Sequence, residues 1–222
     1  MVKIKAVLFD MDGTLLDSYD AYFLAWRDTL KEYGVNLSRE KSNSMGGMSY
    51  TEMMKAFLGE KYYDLKKQNR MDAIFDCLSD KSYSFLAKNG KPKPFAKETL
   101  LSLKKGGMNI AVVSSSSRRI LDLSIQLLDI QDMIDFSISD KDVVHNKPAP
   151  DCYLMAKDRY RMPTNECIVV EDSPIGIEAG KSAGMKVIGV TGSFENEKLN
   201  SASPDYVFDN LKDAGDKIIN LK

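Results

Sequence analysis

Short, continuous apolar runs that stop at polar side chains restrict the fold of this chain more than any other feature. Ala6-Val7-Leu8-Phe9 stops at Asp10, Ile110-Ala111-Val112-Val113 at four serines, and Ile168-Val169-Val170 at Glu171-Asp172. Val187-Ile188-Gly189-Val190 runs into Thr191-Gly192. Runs without alternation suit strands buried on both faces, as in a parallel sheet covered by helices. Residues 136–139 and 206–208 are weaker strand candidates. Helical segments fall between the runs: residues 98–105 end at Gly106-Gly107, and Ser173-Pro174 opens a segment that Gly184 closes. The rhythm predicts an α/β fold with a doubly wound, Rossmann-like parallel-sheet core.

Between residues 16 and 90 the rhythm lapses. Helical patterns at 21–33, 51–58, 62–76 and 78–88 follow one another without good strands, and Asn89-Gly90-Lys91-Pro92-Lys93-Pro94 makes a turn-rich return. The reading is a discontinuous core of residues 1–15 and 91–222 with a helical cap at 16–90.

Composition excludes several chemistries. His145 is the one histidine, so Ser-His-Asp and Cys-His mechanisms and histidine-rich zinc sites lack raw material. Cys77, Cys152 and Cys167 are far apart and odd in number, and read as reduced thiols of a cytoplasmic protein. Asp10 comes too soon for a signal-peptide apolar region, and no apolar run reaches the ~20 residues of a membrane span. A net charge of −1 gives no reason to expect nucleic acid or a membrane surface as partner. A monomer acting on a small phosphorylated metabolite is expected.

Ligands of open α/β sheets bind beyond the carboxyl ends of the strands. Asp10, Asp12, Ser114, Glu171 and Asp172 are predicted at that edge, with Lys147 in a loop after a fifth candidate strand. A carboxylate can attack a phosphate to form an aspartyl-phosphate, provided a cation lies between the two anions. Mg²⁺ supplies that cation and prefers oxygen ligands such as these carboxylates. The serines at 114–117 offer hydroxyl and backbone N–H groups to phosphate oxygens, and Lys147 adds a positive charge.

Four segments in order resemble the motifs of the haloacid dehalogenase superfamily. They are Asp10-Met11-Asp12-Gly13-Thr14, Ser114 after its apolar run, Asn146-Lys147-Pro148-Ala149-Pro150-Asp151, and Val170-Glu171-Asp172-Ser173-Pro174-Ile175-Gly176-Ile177. Together they span nearly the whole chain, and the subgroup most similar is that of β-phosphoglucomutase and its sugar-phosphate phosphatase relatives. The resemblance implies Asp10 as nucleophile and Asp12 as general acid/base. It implies Mg²⁺ on the Asp10 carboxylate, the Asp12 backbone carbonyl and Asp172, with Glu171 ligating directly or supporting from behind. Ser114, Ser115 and Lys147 would hold the phosphate.

The departures bear on activity. The mutase carries a histidine on its first cap helix and an arginine on a cap loop; Tyr22 and Tyr50 stand there in this chain. A bisphosphate intermediate would miss that arginine, which disfavours a mutase, and a non-catalytic phosphate-binding module would not be expected to keep all of Asp10, Asp12, Lys147 and Asp172. Asn146 replaces a common glycine and is expected to be harmless, because asparagine tolerates left-handed backbone angles. Trp26, with Tyr22 and Phe23, reads as cap-helix core. Met45-Gly46-Gly47-Met48-Ser49-Tyr50 reads either as a specificity loop or as a plain helix connection. His145 reads as a loop residue without a catalytic role.

Overall fold

A computed structural model describes residues 3–44, 48–192, 194 and 196–221. The chain forms β1 (Ala6–Phe9) and β2 (Leu16–Asp17), then five helices: α1 (Tyr19–Lys31), α2 (Arg39–Asn43), α3 (Tyr50–Leu58), α4 (Glu60–Lys67) and α5 (Met71–Asn89). Next come β3 (Lys91–Pro92), α6 (Ala96–Lys105), β4 (Asn109–Val113), α7 (Arg118–Leu128), β5 (Phe136–Ile138) and α8 (Asp151–Tyr160). The chain closes with β6 (Cys167–Glu171), α9 (Pro174–Ser182), β7 (Lys186–Val190), α10 (Asn196–Ser201), β8 (Tyr206–Phe208) and α11 (Leu211–Ile219).

Six strands form one parallel sheet in the order β5-β4-β1-β6-β7-β8. The continuous apolar run of β1 has its explanation here, since all four of its residues are fully buried. Val7 and Phe9 enter one core cluster with side chains of α6, α7 and α11, while Ala6 and Leu8 enter another with α8, α9 and α10. Successive side chains thus leave opposite faces of the sheet, and both faces are covered.

The helices α1 to α5 build a separate core around Trp26, Leu30, Met54, Ile74 and Leu78. Ala21 of α1 and Leu86 of α5 reach back into the sheet's core. Where the chain crosses between the two bodies, β2 and β3 pair antiparallel, with Leu16 opposite Pro92 and Asp17 opposite Lys91.

The structure corrects three local expectations. The pattern at 62–76 is broken: α4 ends at Lys67, Asn69 takes a φ of 55°, and α5 then runs unbroken through 76–78. Asparagine accepts that left-handed turn at little cost, whereas nothing between Asp76 and Leu78 interrupts a helix. The turn-rich return contains β3. The short helix α2 went unpredicted; Ser38 caps it, its hydroxyl accepting from the Lys41 N–H at 3.2 Å.

Candidate active site

The carboxyl edge of the central strands gathers the charged groups. Asp10, one residue past β1, is tied to the neighbouring strand by its N–H, which donates to the Val170 carbonyl at 2.9 Å. Gly13, at φ 87°, then turns the chain so that its N–H meets the Leu16 carbonyl at 2.7 Å. Only glycine takes such an angle freely, and the turn keeps Asp12 at the sheet edge.

Lys147 is 6% exposed and spends its three N–H donors inside the protein. They reach Asp10 Oδ1 at 2.7 Å, Glu171 Oε1 at 2.7 Å and the Val113 carbonyl at 3.1 Å. Burial alone would push this ammonium down, but the Asp10 and Glu171 carboxylates hold it well above the ordinary lysine range. Burial pushes the Asp10 carboxyl well up, and Glu171, Asp172 and Asp12 add to that against the opposing pull of Lys147.

Both oxygens of Glu171 are engaged. Oε1 accepts from Lys147 and, at 3.1 Å, from the Tyr153 hydroxyl. Oε2 accepts from the Asp172 N–H at 3.0 Å, the Ser173 N–H at 3.1 Å and the Ser173 hydroxyl at 3.0 Å. The carboxylate lies so close to α9 that a Cβ on Gly176 would stand 1.7 Å from Oε1, so only glycine fits there.

Asp12 turns its carboxylate elsewhere. Oδ2 accepts from the Ser116 hydroxyl at 2.7 Å and the Ser114 hydroxyl at 3.2 Å; Oδ1 accepts from the Tyr22 hydroxyl at 2.8 Å. The Ser116 N–H donates back to Ser114 Oγ at 3.0 Å, which sets the turn of the serine loop. Asp172 accepts from Thr14 and Tyr19 hydroxyls at 3.3 Å. Asp10, Glu171 and Asp172 each offer a buried carboxylate oxygen within 4.8 Å of the others, a donor set suited to a hard cation.

These groups share one cleft of about 100 Å³, which all seven residues singled out from the sequence line: Asp10, Asp12, Ser114, Ser115, Lys147, Glu171 and Asp172. Four carboxylates therefore face one ammonium among the described lining residues.

The family described as haloacid dehalogenase-like hydrolase matches residues 7–190. The chain belongs to this family. Fructose-1-phosphate phosphatase YqaB of Escherichia coli is 27% identical over 188 residues, covering 85% of this chain and 97% of that one. Pyrophosphatase PpaX of Bacillus velezensis is 26% identical over 218 residues, covering 95% and 94%. The chain spans only 20% of the length of another relative, the chloroplastic protein SUPPRESSOR OF QUENCHING 1 of Arabidopsis thaliana, at 29% identity over 94% of this chain. Among solved structures, β-phosphoglucomutase of Clostridium difficile shares the fold with a TM-score of 0.84 and 24% identity, covering 98% and 97%.

Within this haloacid dehalogenase-like hydrolase, the cleft holds contacts that the residues alone did not single out. Ser115 lines the cleft, but the hydroxyl beside Ser114 on Asp12 is that of Ser116. Four serines in a row carry no signal that ranks them. Tyr22 was read as cap core, yet its polar tip reaches Asp12 and lies 3.2 Å from the Ser116 hydroxyl. Burial and the Asp12 charge push this phenol far up, so it stays a donor. Trp26 is 1% exposed and packs edge-on against Tyr50 and Phe57, at centroid distances of 5.5 Å and 5.4 Å, as a core residue does.

Asn146 is not among the residues with positive φ, so the replaced glycine needs no left-handed backbone here. His145 is exposed and pairs with Asp151 at 3.0 Å. Of the segment read as specificity loop or connection, Met45, Gly46 and Gly47 lie outside the described residues; Met48 and Tyr50 line the cleft. No helix among the described residues is long and apolar enough to cross a membrane.

Proposed function

We propose that the hydrolase is a Mg²⁺-dependent phosphatase that cleaves a small phosphomonoester, a sugar or polyol phosphate, through an aspartyl-phosphate on Asp10. The observation that carries this reading is the charge balance of the cleft: a phosphate dianion cannot enter beside four carboxylates and one ammonium without a divalent cation. Asp10 and Asp172 would hold the ion with the Asp12 backbone carbonyl; the Asp12 carboxylate is turned to hydroxyls and is not part of the buried cluster of Asp10, Glu171 and Asp172. Glu171 lies within the carboxylate cluster, but its oxygens are committed to Lys147, Tyr153 and the turn after β6. It supports the site from behind. The bound cation supplies neutralisation of the equatorial phosphate oxygens.

In the first step an Asp10 oxygen attacks phosphorus as the bond to the ester oxygen breaks. Asp12, having taken up a proton, passes it to the leaving alkoxide. Asp12 then takes a proton from water as the water oxygen attacks phosphorus, which frees Asp10 and inorganic phosphate. Lys147 fixes the carboxylate of Asp10, and the Ser114 and Ser116 hydroxyls orient Asp12. Residues 16–90 act as a cap over a core of 1–15 and 91–222, excluding water during the reaction.

The sugar phosphatase YqaB is consistent with this reading, while PpaX marks diphosphates as the class to test against it. The test is phosphate release from a panel of phosphorylated metabolites, in Mg²⁺ and in EDTA, by the wild type and Asp10→Asn. Metal-dependent release that the substitution removes supports the proposal; release by Asp10→Asn at the wild-type rate sinks it.

A further inference from the structure

The two sides of the cleft differ in charge. Among the described residues, the charged side chains that line it all come from the sheet side: Asp10, Asp12, Lys147, Glu171 and Asp172. The cap contributes Tyr19, Tyr22, Trp26, Met48, Tyr50 and Met53, together with the Ser42 hydroxyl. None of these carries a charge at neutral pH. The hydroxyls of Tyr19 and Tyr22 already donate to Asp172 and Asp12. Two cap arginines are occupied away from the cleft: Arg27 pairs with Asp28, and Arg39 pairs with Asp20 while lying 4.2 Å over the Phe23 ring.

A leaving group enclosed by the cap therefore meets aromatic faces and thioethers. An anion there would be buried without a partner, which costs far more than the same group loses in water. A neutral alcohol with an apolar face, the C–H face of a sugar ring included, loses nothing comparable and gains contact area.

We infer that the cap makes this enzyme selective for phosphomonoesters of uncharged alcohols, rejecting substrates that carry a second phosphate or a carboxylate, with Met48, Tyr50 and Met53 as specificity-determining residues. The inference rests on the phosphatase reading above and narrows its substrate class. It separates the chain from a diphosphate-cleaving relative by the chemistry of its own roof.

The experiment measures kcat/KM in Mg²⁺ on pairs whose second member adds an anionic group to the leaving side: 2-hydroxyethyl phosphate against phosphoglycolate, and glucose 1-phosphate against glucose 1,6-bisphosphate with release from the 1-position followed. The neutral member should be favoured by about a hundredfold or more, the scale of an unpaired buried charge. Met48→Arg and Met53→Lys should each shift that ratio toward the anionic member by at least about tenfold. Because the readout is a ratio within one preparation, partial loss of folded protein does not mimic the effect. Equal rates on both members of each pair overturn the inference and leave the phosphatase reading standing, as does a ratio that neither variant moves. Release from no member of any pair overturns the phosphatase reading and the inference with it.

Discussion

In the floor of the cleft, Lys147, Asp10 and Glu171 hold one another through charged hydrogen bonds of 2.7 Å. In the roof, Trp26 meets the rings of Tyr50 and Phe57 edge-on, and Met48 and Met53 pack among them. The floor sits at the ends of buried parallel strands, where the backbone fixes each side chain to within a hydrogen bond. The roof rests on short helices joined by turns, whose lining depends on how helix faces pack. The charged groups and the apolar lining of the cleft are thus built on different kinds of structure.

The largest expected effect breaks the floor at its centre. Asp10→Asn should lower phosphate release by on the order of 10⁴-fold or more, since the attacking oxygen is lost. The same change should stabilise the metal-free fold. Burial and neighbouring carboxylates raise the folded-state pKa of Asp10 above its unfolded value of about 3.9. Between those two values the folded state binds more protons, so metal-free stability falls as pH rises through that window and stays lower above it. At pH 7 in EDTA, Asp10→Asn should therefore melt above the wild type, by about 2–4 °C per kcal/mol regained. Scanning calorimetry checks this, and a lower melting point for the variant at pH 7 contradicts it.

Gly176→Ala tests how tightly the floor is locked. An alanine in a helix interior normally gains up to about 1 kcal/mol over glycine. Here the added Cβ would overlap Glu171 Oε1, whose displacement strips Lys147 and Tyr153 of a partner. Breaking a buried pair costs about 3–5 kcal/mol, so the expected net effect is a loss of stability of about 2–4 kcal/mol. Urea denaturation measures it; a stabilised variant would mean that Glu171 has another place to go.

The same contrast explains what could be read from the sequence. Asp10, Glu171 and Asp172 were legible because a buried strand shows itself as an unbroken apolar run, and the residue that ends it must lie at the sheet edge. Lys147 was legible through its prolines and its place in the order of motifs. Ser116 was not, since the hydrogen bond from its N–H to Ser114 Oγ decides which serine turns to Asp12. The α4–α5 break depended on one left-handed asparagine, Asn69. Tyr22 hid for a related reason: an aromatic ring in an amphipathic helix looks like core, and only the fold reveals where its hydroxyl ends.

Tyr22 is where roof touches floor, so Tyr22→Phe sharpens the comparison with a smaller effect. A hydrogen bond to a charged group is worth about 1.5–3 kcal/mol, or about ten- to a hundredfold in rate if it holds Asp12 in place for proton transfer. The loss should appear in kcat with alkyl phosphates, whose alkoxide needs a proton. It should shrink with p-nitrophenyl phosphate, whose leaving group departs without one. An equal loss on both substrates would assign Tyr22 to cap packing.

The smallest effect lies at the outer edge of the contact between the two bodies. Arg119 of α7 pairs with Asp80 of α5 at 2.5 Å and covers the Tyr83 ring at 4.5 Å. The paired side chains are 55% and 66% exposed, so solvent screens them and the pair contributes no more than about 1 kcal/mol. Asp80→Asn should leave the melting temperature within a few degrees of wild type and lower kcat/KM by at most about fivefold. That small loss should fade further in high salt, where an exposed ion pair counts for less. A larger, salt-insensitive loss would show that the edge contact, and not the buried Tyr22 hydroxyl, ties the roof to the floor.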